Sequence, residues 1–181
     1  VAALAAHQVV LQLWTFLALV LDSLAVAAQT LVGAALGAGD AAHAKSVVRR
    51  VTVFSTAAAG ILASMLALGA AVLPQLFTED RSVLAAIGVP WWFMVAQLPL
   101  AGTVFALDGV LLGAGDAAFM RTATVISALI GFLPLIWLSL AYGWGLVGIW
   151  SGLSTFVVLR LIFVGWRTLS GRWVVTGTGA T

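Results

Sequence analysis

Three charged residues lie deep inside long apolar stretches of the sequence, and these are Asp22, Asp108 and Arg160. An ionised side chain at the centre of a bilayer costs at least ~2.5 kcal/mol on insertion scales, so such residues usually face a protein interior and mark ion or substrate pathways. A buried carboxyl group can exchange a proton near neutral pH, or it can hold a sodium ion together with carbonyl and amide oxygens. We therefore expect Asp108 to handle a coupling ion or a substrate, with sodium as the one metal ion that it could bind.

Polar side chains accompany both carboxylates. Gln97 precedes Asp108 by eleven residues and lies near the same helix face. A stripe with a spacing of seven residues consists of Gln8, Thr15, Asp22 and Gln29. On an apolar helix such a stripe should face protein or water, where its members bind an ion or substrate or only hydrogen-bond to neighbouring helices. Gln97, Asp22 and Gln29 are thus further binding candidates, although for Asp22 a structural or indirect role is the first expectation.

Arg160 has two interpretations within the last apolar stretch. Its guanidinium either pairs with an acidic side chain or extends along the helix to the membrane surface. Trp166 and Arg167 follow within seven residues, and this favours extension to the surface, because long basic side chains near helix ends reach for the interface.

The composition excludes most soluble classes. Of the 181 residues, 63% are hydrophobic and 8% are charged, whereas soluble domains carry about 25% charged residues. Cysteine is absent and only two histidines occur, which excludes disulfide scaffolds and thiolate zinc sites and leaves no cofactor to expect. The basic residues form no dense patch, so nucleic acid is not an expected partner. The sequence predicts an all-α integral membrane protein.

Uncharged stretches predict five transmembrane helices. A bilayer core about 30 Å thick needs about 20 apolar residues in a helix. Within a single membrane domain that covers residues 1–181, the predicted helices span residues 8–37, 48–76, 83–112, 119–140 and 146–169. The last two are separated by turn-forming glycines and interfacial aromatic residues between Tyr142 and Gly145.

Glycines and prolines interrupt two of these helices. Three glycines are expected to leave room beside the Asp108 carboxylate: Gly102, Gly109 and Gly113. Pro90 and Pro99 fall in the third helix and Pro134 in the fourth, where each removes a backbone hydrogen bond and tends to kink the helix. Kinked helices are common where a transporter lines a cavity, but proline is also generally frequent in membrane helices.

The basic residues predict the orientation. One side of the membrane would carry six of them: Lys45, Arg49, Arg50, Arg121, Arg167 and Arg172. The other side would carry only Arg81. Because basic residues concentrate in cytoplasmic loops, we expect the N-terminus of this chain outside and its C-terminus in the cytoplasm. An odd number of spans would fit a truncated chain.

One heptapeptide occurs twice. Leu-Gly-Ala-Gly-Asp-Ala-Ala spans residues 36–42 and again residues 112–118. Glycine suits a helix C-terminus, and aspartate can cap the helix that follows. Each copy therefore predicts a tight turn on the cytoplasmic side, and such internal symmetry is common among transporters. No Gly-Lys-Ser/Thr follows, so a nucleotide-binding loop is not indicated.

Several of these segments together resemble the multidrug and toxic compound extrusion (MATE) transporters, in the branch of the DNA-damage-inducible protein F. The matching segments cover residues 5–8, 11–16, 21–25, 29–40, 108–116 and 170–173. The resemblance implies twelve helices in two six-helix lobes, of which this chain would supply helices eight to twelve, most of the second lobe. It further implies antiport, in which a proton or sodium ion enters while a drug or other organic cation leaves.

The same resemblance gives Asp108 a specific role. It matches the acidic residue on the tenth helix that contributes to the cation site in sodium-coupled relatives. The opening helix and the seventh helix, which carry acidic residues in other branches, have no counterpart in this chain. The implied partners are the lipid bilayer, a small organic cation, and an N-terminal lobe or another chain. The implied location is the bacterial plasma membrane.

Three alternatives remain beside the transporter. An intramembrane aspartyl protease would need two facing aspartates, but both Gly-Asp motifs fall at helix ends, so we do not expect an enzyme. A flippase for lipid-linked precursors would need a cationic cavity, whereas Arg160 is the only basic residue away from the ends of a predicted span. A degenerate membrane fragment without transport activity is the third alternative.

Overall fold

The computed structural model describes residues 2–175 and contains five helices that are long and apolar enough to cross a membrane. The predicted all-α membrane fold with five spans is thereby confirmed. The spans are α1 (Ala2–Gly37), α2 (Ala41–Leu68), α3 (Arg81–Gly113), a composite fourth span (Ala117–Tyr142) and α6 (Gly145–Leu169). The composite span consists of α4 (Ala117–Ile126), a π-helical turn (Ser127–Phe132) and α5 (Leu133–Tyr142).

The predicted bounds were wrong for two helices. The first helix begins at Ala2 rather than at residue 8. The second occupies Ala41–Leu68 instead of residues 48–76, because Asp40 caps it directly after the turn and the chain leaves the helix at Gly69. The length of an uncharged stretch indicates the thickness of the membrane and not the ends of the helix, so it leaves the basic first turns of α2 outside the predicted helix.

Helix α3 lies at the centre of the bundle and packs against α1, α2 and α6. Its buried residues lie on every side, as expected for a helix with neighbours all round. Consecutive spans alternate in direction, so α1, α3 and α6 run parallel to one another. Residues on α3 and α6 can therefore meet in matching order along the membrane normal.

Two glycines of α3 mark the closest approach of α1. A Cβ atom on Gly109 would overlap the backbone of Ala25, and one on Gly113 would overlap that of Gln29. Gly102 likewise abuts Ser55 of α2. The expectation that these glycines leave room beside Asp108 was therefore wrong. Small residues let membrane helices pack backbone to backbone, and the space is filled by the neighbouring helices.

The π-helical turn coincides with one of the predicted helix breakers. The Leu133 N–H donates to the Ala128 carbonyl, five residues earlier, just before Pro134. Proline lacks an N–H group, and its ring would collide with the carbonyl four residues earlier in a regular helix. A single wider turn accommodates both effects. Pro90 and Pro99, in contrast, lie within α3 without ending it.

The two copies of the heptapeptide form the same turn, as predicted. Gly39 and Gly115 adopt left-handed φ angles of 76° and 78°. In the first copy the Gly39 N–H donates to the Leu36 carbonyl, and the next N–H donates to Ala35. The second copy makes the same two bonds to Leu112 and Leu111. This pattern is the Schellman motif, in which glycine accepts the left-handed conformation without a steric cost.

Candidate functional site

An ion pair in the interior of the bundle joins three helices. Arg160 of α6 donates through Nη2 to the Asp108 carboxylate of α3 and through Nη1 to the Thr124 hydroxyl of α4. The side chains of Arg160 and Asp108 are 11% and 18% exposed. The expectation that Arg160 reaches the membrane surface was wrong. The parallel helices put an acidic partner at its own depth, and pairing compensates a charge that lipid cannot solvate.

A second ion pair lies two helical turns farther along. Arg167 Nε of α6 donates to Asp116 Oδ2 at 2.6 Å, and its guanidinium lies 5.1 Å from the centre of the Phe119 ring. Neither this pair nor the role of Thr124 was predicted from the sequence. The signal was present in the spacing, since two acids eight residues apart face two arginines seven residues apart on a parallel helix.

The second oxygen of Asp108 has no protein partner. Asp108 Oδ1 is buried and accepts no hydrogen bond from residues 2–175. The large majority of buried side-chain polar atoms in proteins have a hydrogen-bond partner, so this carboxylate oxygen can still accept one. A proton or a small cation has the chemistry to bind to it.

The paired residues line a cavity of about 270 Å³ between α1, α3 and α6. Most of its walls are apolar, and three aromatic side chains contribute to them: Trp14, Phe105 and Phe156. Aromatic faces attract organic cations, and apolar walls with a few fixed polar groups are typical of small-ligand sites. Asp108 and Arg160 supply the charged groups of this cavity.

Gln97 is buried but lies apart from the ion pair. It is 2% exposed, and its Oε1 accepts a hydrogen bond from Ser154 Oγ at 3.2 Å. Eleven residues correspond to about 16 Å along a helix, and Gln97 is not among the residues that line the cavity. Its amide nitrogen has no hydrogen-bond partner among the described residues.

The seven-residue stripe lies on the outer face of α1. All four of its members are exposed: Gln8, Thr15, Asp22 and Gln29. Asp22 precedes Ala25 by one turn, and the Ala25 backbone abuts Gly109. Asp22 and Asp108 therefore lie at the same depth without sharing a site. The described residues leave this face uncovered, so its contact with protein or water stays a prediction.

Five membrane-length helices, three of which enclose a cavity with charged and aromatic side chains, are typical of a multi-pass membrane transport protein. The fold of this chain matches a crystal structure of the eukaryotic MATE transporter AtDTX14 with a TM-score of 0.87 and 20% sequence identity. The match covers 96% of this chain and 39% of that chain.

This chain belongs to the MatE family, whose family model matches residues 1–137. It is 35% identical over 173 residues to "Protein DETOXIFICATION 44, chloroplastic" of Arabidopsis thaliana, which covers 94% of this chain and 33% of the relative. It is 32% identical over 183 residues to "Probable multidrug resistance protein NorM" of Bradyrhizobium diazoefficiens, covering 95% of this chain and 38% of the relative. The chain thus spans about a third of the length of these relatives.

Family membership decides two of the expectations. The resemblance to the MATE transporters is confirmed, and because members of this family are transporters and not enzymes, the expectation that the chain is not an enzyme is confirmed too. The relatives include plant DETOXIFICATION proteins and NorM proteins. The narrower assignment to the branch of the DNA-damage-inducible protein F stays a prediction.

Proposed function

We propose that this chain forms most of the second lobe of a secondary active transporter that exports drugs or other organic cations by alternating access. In such a transporter two lobes rock around a cavity near the membrane midplane. Membership of the MatE family supports transport. The names of two relatives, a "Probable multidrug resistance protein NorM" and the "Multidrug and toxin extrusion protein 2" of Oryctolagus cuniculus, support export of such compounds.

The state of the Asp108 carboxylate carries the proposal. One of its oxygens is bound by Arg160, whereas the other is buried and accepts no hydrogen bond from residues 2–175. The same carboxylate lines an apolar and aromatic cavity. A proton or a sodium ion therefore has an oxygen to bind at the place where an organic cation would enter.

Arg160 supplies the difference in affinity that coupling requires. A coupling ion shifts the balance between two conformations only if it binds them with different affinities. While Arg160 holds the carboxylate, the local charge is balanced and an entering cation gains little. In a conformation that separates α3 from α6, the carboxylate loses this partner and binds the proton or sodium ion more tightly. The coupling ion and the organic cation then compete for the same freed carboxylate, as exchange of one for the other requires.

The other binding candidates have different parts in this scheme. Asp22 and Gln29 are exposed on α1, and we assign them to contact with an N-terminal lobe, another chain or the substrate. Gln97 has a buried amide nitrogen without a partner among the described residues. Its amide N–H groups can donate hydrogen bonds to a substrate when the helices move.

We place the protein in the bacterial plasma membrane, in the branch of the DNA-damage-inducible protein F, with the N-terminus of this chain outside. Six basic residues gather at the end of the bundle where α1 and α3 end and α6 terminates: Lys45, Arg49, Arg50, Arg121, Arg167 and Arg172. We call this the basic end. Its charge supports a cytoplasmic position. Besides the lipid bilayer, the partners are a small organic cation and an N-terminal lobe or another chain.

Ion-driven efflux by a full-length protein that contains this chain tests the proposal. In proteoliposomes loaded with a fluorescent organic cation, Asp108→Asn should lose most of the flux, because an amide cannot balance the charge of a coupling ion. Asp116→Asn is the matched control, since it removes a carboxylate near the end of the same helix, and it should keep most of the flux. Unchanged flux and unchanged ion dependence in Asp108→Asn would contradict the proposed role.

The chain alone is expected to show no ion-driven flux unless it pairs with a second copy or with an N-terminal lobe. Flux by the monomeric chain would refute this part of the proposal. Absence of flux in the full-length protein as well would favour a membrane protein without transport activity. A flippase is disfavoured, because the one basic side chain that lines the cavity, Arg160, is already neutralised by Asp108.

A further inference from the structure

A second and larger concavity lies at the basic end of the bundle. It is an open groove of about 950 Å³ between α2 and α6, with α3 as its floor. Small-molecule sites typically measure about 300–1,000 Å³, so the groove is large enough for a ligand. It shares no lining residue with the cavity at Asp108, and the proposed transport mechanism makes no use of it.

The groove changes in character along its length. Lys45 and Arg49 line its outer end, one helical turn apart on the same face of α2. Its inner end is lined by aliphatic side chains, including Val53, Leu107 and Leu161. The eight residues from Lys45 to Val53 correspond to about 12 Å of helix. A positively charged mouth therefore leads into an apolar channel that runs inward from the membrane surface.

A hydroxyl group lies at the boundary between these two parts. Thr52 lines the groove one turn inward from Arg49. Its Oγ1 is buried and has no hydrogen-bond partner among residues 2–175. Because buried hydroxyl groups are usually paired, we expect the Thr52 side chain to turn its hydroxyl towards a ligand in the groove that carries an acceptor just below a negative charge.

We propose that the groove binds one anionic phospholipid of the surrounding membrane. Its phosphate contacts Lys45 and Arg49, an oxygen of its glycerol ester region accepts from Thr52, and one acyl chain lies along Leu107 and Leu161. Basic pockets between membrane helices recognise acidic headgroups, and this charge favours an anionic over a neutral lipid. Trp166, which lines the rim, has the side chain that prefers the headgroup level.

Gly165 allows the groove to be filled without a change of charge. It lines the groove on α6, and an added Cβ would meet no heavy atom within 4 Å. Gly165→Leu would therefore occupy the acyl-chain channel without disturbing the helix packing. Gly60→Leu on α2 is the matched control, because Gly60 also opens onto free space but is not among the residues that line the groove.

Native mass spectrometry of the full chain in detergent, with equal amounts of phosphatidylglycerol and phosphatidylcholine, measures the lipid preference. The unmodified chain should retain phosphatidylglycerol several-fold better. Gly165→Leu and the double variant Lys45→Gln/Arg49→Gln should each lose this preference, whereas Gly60→Leu and Arg121→Gln should keep it. Equal retention of the two lipids by the unmodified chain, or an unchanged preference in both groove variants, would overturn the proposal.

Discussion

The two ion pairs found among residues 2–175 have the same chemistry and different positions in the bundle. Asp108 and Arg160 meet inside the bundle, where a third polar group, the Thr124 hydroxyl, completes the contact. Asp116 and Arg167 are about as buried, at 15% and 21% exposure, but they meet at the basic end, in the last turn of α6. If the outer pair separates, water can solvate both charges, but lipid and apolar side chains cannot do so for the inner pair. The inner pair is therefore suited to switch between two discrete arrangements of α3 and α6. The outer pair is suited to hold the end of α6 against the turn that follows α3, and we call it the clamp.

The largest expected effect is the removal of one partner from the inner pair. Arg160→Gln should destabilise the protein by about 3–5 kcal/mol, because it leaves the Asp108 carboxylate buried without a counter-charge. Denaturant titration of the full chain in detergent, followed by helicity, measures this loss. In the double variant Asp108→Asn/Arg160→Gln no charge remains unpaired, and most of the stability should return. If the double variant were as unstable as Arg160→Gln, the inner pair would not be the source of the effect.

The outline of the fold could be predicted because it depends on local properties of the chain. The hydrophobic length of each stretch predicts a membrane helix, and five such helices were found. Glycine at positions 39 and 115 predicts the two turns, since the required φ angle is a property of a single residue. The start of α2 escaped prediction because Lys45 and Arg49 indicate the membrane boundary while the helix continues past it.

The partners of the charged residues depend on which helices become neighbours. Asp108 was correctly placed inside a span, but hydropathy alone does not reveal that α6 presents Arg160 at the same depth. A glycine at position 109 is compatible with close helix packing, but the sequence does not indicate that α1 is the neighbouring helix. The exposure of Asp22 on α1 is likewise a property of the bundle rather than of its own helix.

The repeated turn provides an internal control for the outer pair. Asp40 Oδ1 accepts from the His43 N–H at 2.8 Å and so caps α2, whereas Asp116 makes no such bond and binds Arg167 instead. Identical sequence thus fixes the backbone of the turn, while the surroundings choose the partner of the carboxylate. Asp40→Ala should cost about 1 kcal/mol through the lost cap, as measured by the same titration.

The corresponding variant of the second turn, Asp116→Ala, distinguishes the loss of a helix cap from the loss of an ion pair. Asp116→Ala should release Arg167, and Arg167→Gln made on top of it should cost only what remains of the contact with the Phe119 ring. Asp40→Ala should be additive with Arg167→Gln, because the two residues share no partner. Additive losses for Asp116→Ala and Arg167→Gln would contradict the assignment of Asp116 to the clamp.

The smallest expected effect is the loss of the outer pair itself. Arg167→Gln should cost up to about 1 kcal/mol, the upper end of the range for pairs near the protein surface, because the two side chains are only 21% and 15% exposed. The Debye screening length falls from about 30 Å at 0.01 M salt to about 3 Å at 1 M salt. The difference in stability from the unmodified chain should therefore be smaller at 1 M salt. The loss caused by Arg160→Gln should be the same at both, since ions do not enter the interior. If salt left the cost of Arg167→Gln unchanged, the outer pair would be as inaccessible to ions and water as the inner pair. Their surroundings would then give no reason to assign the two pairs different roles.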